Sequence, residues 1–114
     1  MFARKVAVRL KPDSLEKFTN LMDSAVLPWL RAQEGFQHMI VLATPDRSEV
    51  QVLSFWDQEG SAAAYSSTGY PAVVKILEGL LDTKPFVKTY EVFSSTLECF
   101  APARDGTVSL VMTE

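Results

Sequence analysis

The spacing of apolar residues changes along this chain, and that change constrains the fold more than any other feature. In residues 3–10, ARKVAVRL, the apolar side chains of Val6, Val8 and Leu10 occur at every second position. A repeat of two is typical of a β-strand with one apolar face. From Leu15 onwards the apolar residues recur every three or four positions, which predicts a helix packed on a sheet. The chain is therefore expected to build both strands and helices.

The first predicted helix is about five turns long. Asp13 or Ser14 can cap its beginning through a side-chain oxygen. Pro28 lies inside it and should kink or end it, and Gly35 closes the segment. The apolar stripe that should face the sheet consists of Leu15, Phe18, Met22, Ala25 and Trp29.

The middle of the chain predicts a hairpin and two further helices. FQHMIVLAT (36–44) and EVQVLSFWD (49–57) are rich in strand-forming residues, and the turn-forming PDRS separates them, so we expect an antiparallel hairpin. Residues 58–68 are rich in alanine and serine and predict a short helix. A longer helix is expected from Tyr70, because Pro71 is well placed in a first turn.

The last long strand is predicted over residues 85–100. The resulting order, β-α-β-β-α-β, is the ferredoxin-like arrangement, an α+β fold with helices on one face of an antiparallel sheet. A length of 114 residues suits one domain, which we expect to span residues 1–100. Residues 101–114 form a C-terminal extension that could add an edge strand.

Helices on one face of a sheet leave the other face bare. A bare apolar face of this size would exceed what monomers usually expose, so we predict a homodimer in which two sheets face each other. The apolar side chains that strand alternation assigns to this face are Ala7, Met39, Val41, Leu53, Phe55, Val87 and Phe93.

Composition argues against several classes of partner. The net charge of −3 gives no reason to expect nucleic acid binding, which needs a clustered basic surface. The chain has no run of apolar residues long enough to span a membrane, and its beginning alternates too strongly for a signal peptide. A single cysteine, Cys99, suits a reducing cytoplasm. With one histidine, His38, far from Cys99 in sequence, no metal site is expected.

Several stretches together resemble the antibiotic biosynthesis monooxygenase family. The resemblance covers about residues 3 to 98 and implies a dimeric α+β barrel. It also implies a cofactor-independent monooxygenase that oxidises phenolic compounds without metal or flavin. Such an enzyme needs a dry aromatic pocket, a group that accepts the phenol proton, and donors that hold the anion. The stretches are SFWDQEG (54–60), Tyr65 nine residues after Trp56, YPAVVKILEGLL (70–81) and PFVKTYEVFSST (85–96).

Two other branches of the superfamily fit less well. Haem-degrading members are expected to carry asparagine, tryptophan and an iron-ligating histidine where this chain has Val8, Tyr65 and Lys75. Quinol-oxidising members commonly carry a histidine at the position of Tyr65 and another near Tyr70, and both are tyrosine here. Haem degradation is therefore disfavoured, and a simple transfer of the quinol chemistry is weakened.

His38 is the candidate general base. It shares strand parity with Phe36, Ile40 and Leu42, so its side chain is predicted to point toward the helices. Its unperturbed pKa lies close to neutrality, which suits a proton acceptor. The alternative is a hydrogen-bonded core histidine without a catalytic role.

Aromatic residues supply the other candidates. Tyr65 and Tyr70 are predicted to act as catalytic donors, because a break at Gly69 could turn both rings toward one cavity. Trp56 and Ser54 share strand parity and are predicted to bind substrate, the first as a wall and the second through its hydroxyl. For all four the alternative is ordinary packing at a strand-to-helix corner.

Two functions remain open from the sequence. The first is a cofactor-independent monooxygenase, with neither cofactor nor metal, that acts on a small aromatic, phenolic or quinol-type molecule between sheet and helices. The second is a non-catalytic dimeric module that binds a small molecule or stabilises a partner. Both functions predict the same fold and the same pocket, so the sequence does not distinguish their substrates or reactions.

Overall fold

A computed structural model describes residues 1–96 of the chain, and these residues form the expected order of elements. The first helical segment consists of α1, a π-helical turn and α2, and the second consists of α3, α4 and a short 3₁₀ turn. The predicted extension at 101–114 and the domain boundary at residue 100 lie outside the described residues and stay predictions. The elements are β1 (Phe2–Arg9), α1 (Leu15–Leu21), the π turn (Met22–Val26), α2 (Leu27–Arg31), β2 (Phe36–Ala43), β3 (Glu49–Trp56), α3 (Glu59–Thr68), α4 (Tyr70–Leu77), the 3₁₀ turn (Glu78–Leu80) and β4 (Phe86–Glu91).

The four strands form one antiparallel sheet in the order β2-β3-β1-β4. The predicted hairpin is present as β2 and β3, and β1 pairs with both β3 and β4. The helices pack on one face, which we call the covered face. The ferredoxin-like α+β fold predicted from the sequence is therefore confirmed.

The π turn corrects the predicted stripe of the first helix. Val26 and Leu30 are buried, whereas Trp29 is 42% exposed, so Ala25 and Trp29 do not continue the stripe as predicted. A π turn accommodates one more residue than an α turn and moves every later side chain by one position. It lies directly before α2, which has Pro28 in its first turn, where a missing N–H is tolerated.

A β-bulge in β2 corrects the predicted orientation of His38. Phe36 pairs with Trp56, but the next pair joins His38 to Phe55, so Gln37 is an extra residue. The bulge reverses the alternation along the rest of the strand. The predicted orientation of His38 toward the helices is wrong, because the residue shares a face with Phe55 on the bare side.

The same bulge moves Met39 and Val41 to the covered face, where they pack against the core. Val87 is also on the covered face, because it pairs with Val6, and its predicted place on the bare face is wrong as well. The predicted strand 85–100 ends earlier, at Glu91: residues 92–96 are not in a strand, and 97–100 lie outside the described part.

The bare side of the sheet, which we call the open face, combines apolar and basic side chains. Its most exposed large apolar residues within the strands are Phe86 at 65%, Leu42 at 50% and Tyr90 at 39%. The registers assign to it Ala3, Lys5, Ala7, Arg9, His38, Ile40, Leu42, Glu49, Gln51, Leu53, Phe55, Phe86, Lys88 and Tyr90.

The core lies between the covered face and the helices. Its largest fully buried side chains are those of Trp56, Phe18 and Met22. β4 is exposed at every residue, so the helical layer does not extend over this edge of the sheet. None of the helices formed by residues 1–96 is long and apolar enough to cross a bilayer.

Candidate functional site

A small cavity of about 40 Å³ lies between the covered face and the helices. A space of this size holds only a few water molecules, because one water needs roughly 10–15 Å³. Its polar lining comes from Arg4 and Ser54 on the sheet and Tyr65 and Tyr70 on the helices. The remaining walls are Val6, Val8, Phe18, Met22, Val26, Leu30, Val52, Val73, Val74, Leu77, Leu81 and Pro85.

Arg4 brings a positive charge into this apolar space. It lies on β1 opposite Ser54 and Thr89 and is only 2% exposed. Its Nη2 donates to Ser66 Oγ at 3.3 Å, but within residues 1–96 its buried Nε has no hydrogen-bond partner. No carboxylate of residues 1–96 forms an ion pair with it. A buried charged donor without a partner is costly, and such a group is a candidate for contact with an anion.

Two tyrosine rings support the guanidinium. The Arg4 Cζ lies 4.0 Å from the ring centroid of Tyr70 and 5.3 Å from that of Tyr65, and the two rings meet edge to face at 6.1 Å. Burial lowers the pKa of Arg4, and the two tyrosines oppose this shift. An arginine side chain keeps its proton in proteins, so the cavity holds a fixed cation stabilised by aromatic faces.

The tyrosines of the cavity are protonated at neutral pH. Burial raises the pKa of Tyr65 to about 12 and also raises the pKa of Tyr70, while the positive charge of Arg4 acts in the opposite direction. A phenol with a raised pKa is a hydrogen-bond donor at neutral pH and a poor general base. Together with Arg4, these residues equip the cavity with donors that suit an oxyanion.

Trp56 contacts two residues of this site without lining the cavity itself. Its ring is fully buried and stacks on Tyr65, with 5.0 Å between centroids and 27° between planes, and its other neighbour is the edge of Phe36 at 5.6 Å. Its Nε1 donates to Ser54 Oγ at 2.9 Å. Ser54 lines the cavity, whereas Trp56 is not part of the lining. Trp56 therefore positions Tyr65 and Ser54.

The structure brings together three of the five residues singled out in the sequence. Ser54, Tyr65 and Tyr70 line one cavity, whereas His38 lies on the open face beside Phe55, with 6.2 Å between ring centroids. The sheet separates His38 from the cavity. A role for His38 as the base of this cavity is therefore not supported by the geometry.

A comparison with known protein families identifies the chain. The family model described as antibiotic biosynthesis monooxygenase matches residues 1–74, which is more than half of the 114 residues. The chain belongs to the antibiotic biosynthesis monooxygenase family. The resemblance drawn from the sequence motifs is thereby confirmed. A search of the curated proteins gave no significant match.

Solved structures of similar fold were also found. A protein of unknown function from Nitrosomonas europaea has a TM-score of 0.71 at 22% identity, covering 90% of this chain and 94% of its own. A monooxygenase from the gene ActVA-Orf6 of Streptomyces coelicolor, in complex with the ligand nanaomycin D, also has 0.71, at 20% identity and coverages of 84% and 90%. A conserved protein from Methanosarcina mazei Go1 has 0.63, at 24% identity and coverages of 79% and 91%. At these identities the likeness establishes the shared fold.

Arg4 is the residue of the candidate site that was not predicted from the sequence. The alternation of Val6, Val8 and Leu10 continues toward the beginning of β1. Two residues before Val6 it reaches Arg4, which places a charged side chain on the covered face. A basic residue at an inward strand position is the signal that could have found it.

Metal-binding side chains do not cluster in the part of the chain that the structure describes. Among residues 1–96, no three histidine, cysteine, aspartate or glutamate side chains are grouped so that they could hold a metal ion. The expectation of a site without metal or cofactor stays a prediction.

Proposed function

We propose that this protein is a cofactor-independent monooxygenase that acts on a small phenolic or quinol-type molecule held between the covered face and the helices. One observation carries the proposal: the apolar cavity contains a buried guanidinium whose Nε lacks a partner, with Tyr65 and Tyr70 packed against it. The oxygen of a phenolate is the kind of group that these donors would stabilise.

The chemistry follows from the spin state of oxygen. Ground-state O₂ reacts slowly with closed-shell molecules, but an electron-rich phenolate can transfer one electron to it and recombine with the resulting superoxide. The peroxide anion takes up a proton and then loses water together with the hydrogen on the same carbon, which leaves a carbonyl, so one oxygen atom enters the substrate and the other leaves in water. Excluding bulk water strengthens the interaction between Arg4 and the anion and protects the intermediate.

The proton of the phenol is proposed to leave before or during binding. Arg4 is a fixed cation, and Tyr65 and Tyr70 are protonated at neutral pH, so none of the described residues that line the cavity is a ready proton acceptor. A nearby positive charge lowers the pKa of a bound phenol, which favours its ionised form. Arg4 therefore favours the ionised form of the phenol without accepting its proton, which passes to the solvent.

The monooxygenase of similar fold from Streptomyces coelicolor supports this proposal, because its structure was determined in complex with the ligand nanaomycin D.

A second function is favoured by the size of the cavity. A volume of about 40 Å³ does not admit an aromatic ring unless side chains move. A non-catalytic module that binds a small molecule or stabilises a partner would have the same residues without turnover.

The homodimer belongs to the same proposal. Phe86, Leu42 and Tyr90 expose apolar surface on the open face, and a second copy of the chain would bury it. A reducing cytoplasm is the proposed compartment, since the chain has a single cysteine.

Oxygen uptake distinguishes the two functions. Purified protein is mixed with anthrones and hydroquinones in an oxygen electrode without added metal or flavin. The monooxygenase proposal expects uptake above the rate without enzyme and, from an anthrone, a quinone that contains one new oxygen atom, and uptake should persist after treatment with a chelator. The binding module predicts that no electron-rich phenol increases the rate, and that result would overturn the enzymatic proposal.

A further inference from the structure

The cavity between the covered face and the helices contains a positive charge that the described residues do not neutralise. Arg4 lines the cavity and is 2% exposed, and none of the described residues that line it is acidic. Across residues 1–96, no carboxylate forms an ion pair with Arg4. Tyr65 and Tyr70 carry no negative charge at neutral pH, because burial raises the pKa of each phenol. The described lining therefore has a net positive charge in an apolar environment.

The neighbours of the guanidinium compensate this charge only in part. Its Nη2 donates to Ser66 Oγ at 3.3 Å, and its Cζ lies 4.0 Å from the ring centroid of Tyr70. An aromatic face attracts a cation but carries no net charge. Within residues 1–96 the buried Nε has no hydrogen-bond partner. Because a buried ion is stable only when it is both paired and hydrogen-bonded, this environment favours an anion.

Hydroxyl groups add further donors to the same lining. The Ser54 hydroxyl accepts the indole N–H of Trp56 at 2.9 Å, so its own proton is free to donate. Its acceptor is the backbone oxygen of Arg4 at 3.5 Å, which is long for a hydrogen bond. The phenols of Tyr65 and Tyr70 keep their protons as well. An anion in the cavity would therefore meet a fixed cation and hydroxyl donors.

The volume of the cavity limits the anion to very few atoms. A volume of about 40 Å³ corresponds to a few water molecules, since one water needs roughly 10–15 Å³. A halide ion is comparable in size to a water molecule, whereas an aromatic ring does not fit unless side chains move. One negative charge balances Arg4, but a divalent anion such as sulfate would leave an excess charge among apolar walls. Size and charge together select a small monovalent anion.

We propose that the cavity, in the form that the structure describes, binds one small monovalent anion of the halide class as the counter-ion of Arg4. The inference concerns the same cavity as the proposed function but does not depend on the proposed reaction. It adds a second ligand and a means of regulation. The small anion and a phenolate oxygen need the same guanidinium, so the anion has to leave when a substrate binds.

Exchange of gluconate for chloride tests the binding. Thermal unfolding of the purified protein is followed while sodium gluconate is replaced by sodium chloride at constant sodium concentration, so the ionic strength does not change. Gluconate is too large for the cavity. A ligand that binds only the folded state raises the midpoint of unfolding, and we expect a rise of at least about 3 °C that saturates with chloride. An unchanged or lower midpoint would overturn the inference.

Two arginine variants test whether the effect belongs to the cavity. Arg4→Met removes the cation from the cavity lining, and the chloride-dependent rise should disappear. Arg9→Met removes a guanidinium from the same strand but from the open face, where the side chain is 48% exposed and paired with Glu49. This control should keep the rise seen in the wild type. A rise of equal size in both folded variants would contradict binding at Arg4.

Bromide locates the anion without any variant, so the test stands even where Arg4→Met does not fold. Crystals of the wild-type protein are soaked in sodium bromide and measured at the bromine absorption edge, where bromide gives an anomalous signal. We expect a strong peak in the cavity, within hydrogen-bond distance of the Arg4 guanidinium. Peaks confined to the protein surface would overturn the inference.

Enzyme kinetics separate the inference from the proposed function. With a phenol that the protein oxidises, chloride should raise KM relative to gluconate and leave kcat unchanged, because the two ligands compete for Arg4. Chloride-dependent stability with absent oxygen uptake would retain the anion site and remove the monooxygenase. Oxygen uptake with no effect of chloride on stability would retain the monooxygenase and remove the anion site.

Discussion

The two faces of the sheet belong to the same four strands, but they differ in whether an arginine is exposed and paired or buried and unpaired. Arg4 and Arg9 both lie on β1. Arg9, on the open face, has a side chain that is 48% exposed and pairs with Glu49 at 2.6 Å. Arg4, on the covered face, is 2% exposed and has no carboxylate partner among residues 1–96. An exposed pair contributes little to stability, whereas a buried unpaired charge is retained at a cost and points to a ligand.

The aromatic residues also differ in burial between the two faces. On the covered face, Trp56 is enclosed by Phe36 and Tyr65, so its ring has neighbours on more than one side. On the open face, Phe86 and Tyr90 remain accessible. The covered face is packed by the chain's own helices except at its β4 edge and at the cavity. The open face is complete only if another surface covers it.

The largest expected effect is a difference in the free energy of unfolding between substitutions on the two faces. Trp56→Ala should lower the free energy of unfolding by about 3–5 kcal/mol, because it leaves a cavity in the packed core. Phe55→Ala, one residue earlier on the opposite face, should cost clearly less at protein concentrations low enough to separate the proposed dimer, since that ring is only partly buried within one chain. Urea denaturation of both variants measures the difference. Equal losses would show that the open face is packed as tightly as the covered face.

The next effect concerns assembly. Phe86→Glu places a charge on the exposed apolar surface of the open face and should convert a dimer of about twice 12.7 kDa into a monomer of 12.7 kDa in light scattering. Ile76→Glu is the matched control, because it adds the same charge to an exposed position of the helical layer. A wild-type protein that is already monomeric would contradict the proposed dimer.

Burial of Tyr65 predicts a pH dependence of stability. Its pKa is raised to about 12 in the folded protein and is about 10 in the unfolded chain, so this group favours the folded state fully below pH 10. The contribution is lost as the pH rises from about 10 to 12, and about 1 kcal/mol is lost by pH 11. Tyr65→Phe should therefore lose less stability between pH 9 and pH 11 than the wild type.

Denaturation at the two pH values measures this difference. Tyr90→Phe serves as the control, because it removes a tyrosine from the open face. A wild-type pH dependence in Tyr65→Phe would contradict the buried environment that the structure gives this ring.

The smallest effect is expected at His38. Because the sheet separates this residue from the cavity, His38→Ala should leave oxygen uptake close to the wild-type rate, provided that light scattering shows the assembly unchanged. A complete loss of uptake in an intact assembly would restore the base role that the sequence suggested and would move the reaction to the open face.

The regular parts of the fold were predictable because each is specified by several residues in agreement. The alternation in β1, the turn-forming PDRS in the hairpin and Pro71 at the start of α4 all correspond to observed features. The two main errors share one physical cause. The bulge at Gln37 and the π turn before Pro28 each insert a single residue, and one residue is enough to reverse a strand face or shift a helical stripe.

The candidate site was predictable in part. Ser54, Tyr65 and Tyr70 were found from their places around the strand-to-helix corner. His38 was assigned to the wrong face because nothing in its sequence neighbourhood marks the bulge. Arg4 could have been found, since the alternation of β1 already placed it inward. The contact between its guanidinium and Tyr70 could not have been predicted from the sequence, because it depends on how α4 packs against the sheet.

The most direct measurement compares Arg4→Met with Arg9→Met in oxygen uptake with an electron-rich phenol that the wild-type protein oxidises. Both substitutions remove a guanidinium from β1, but only the first removes it from the cavity. We predict a loss of about a hundredfold in turnover for Arg4→Met, the usual effect of removing a donor to a developing oxyanion, and a near wild-type rate for Arg9→Met. Equal rates in the two folded variants would contradict the claim that the buried cation of the covered face is the functional centre.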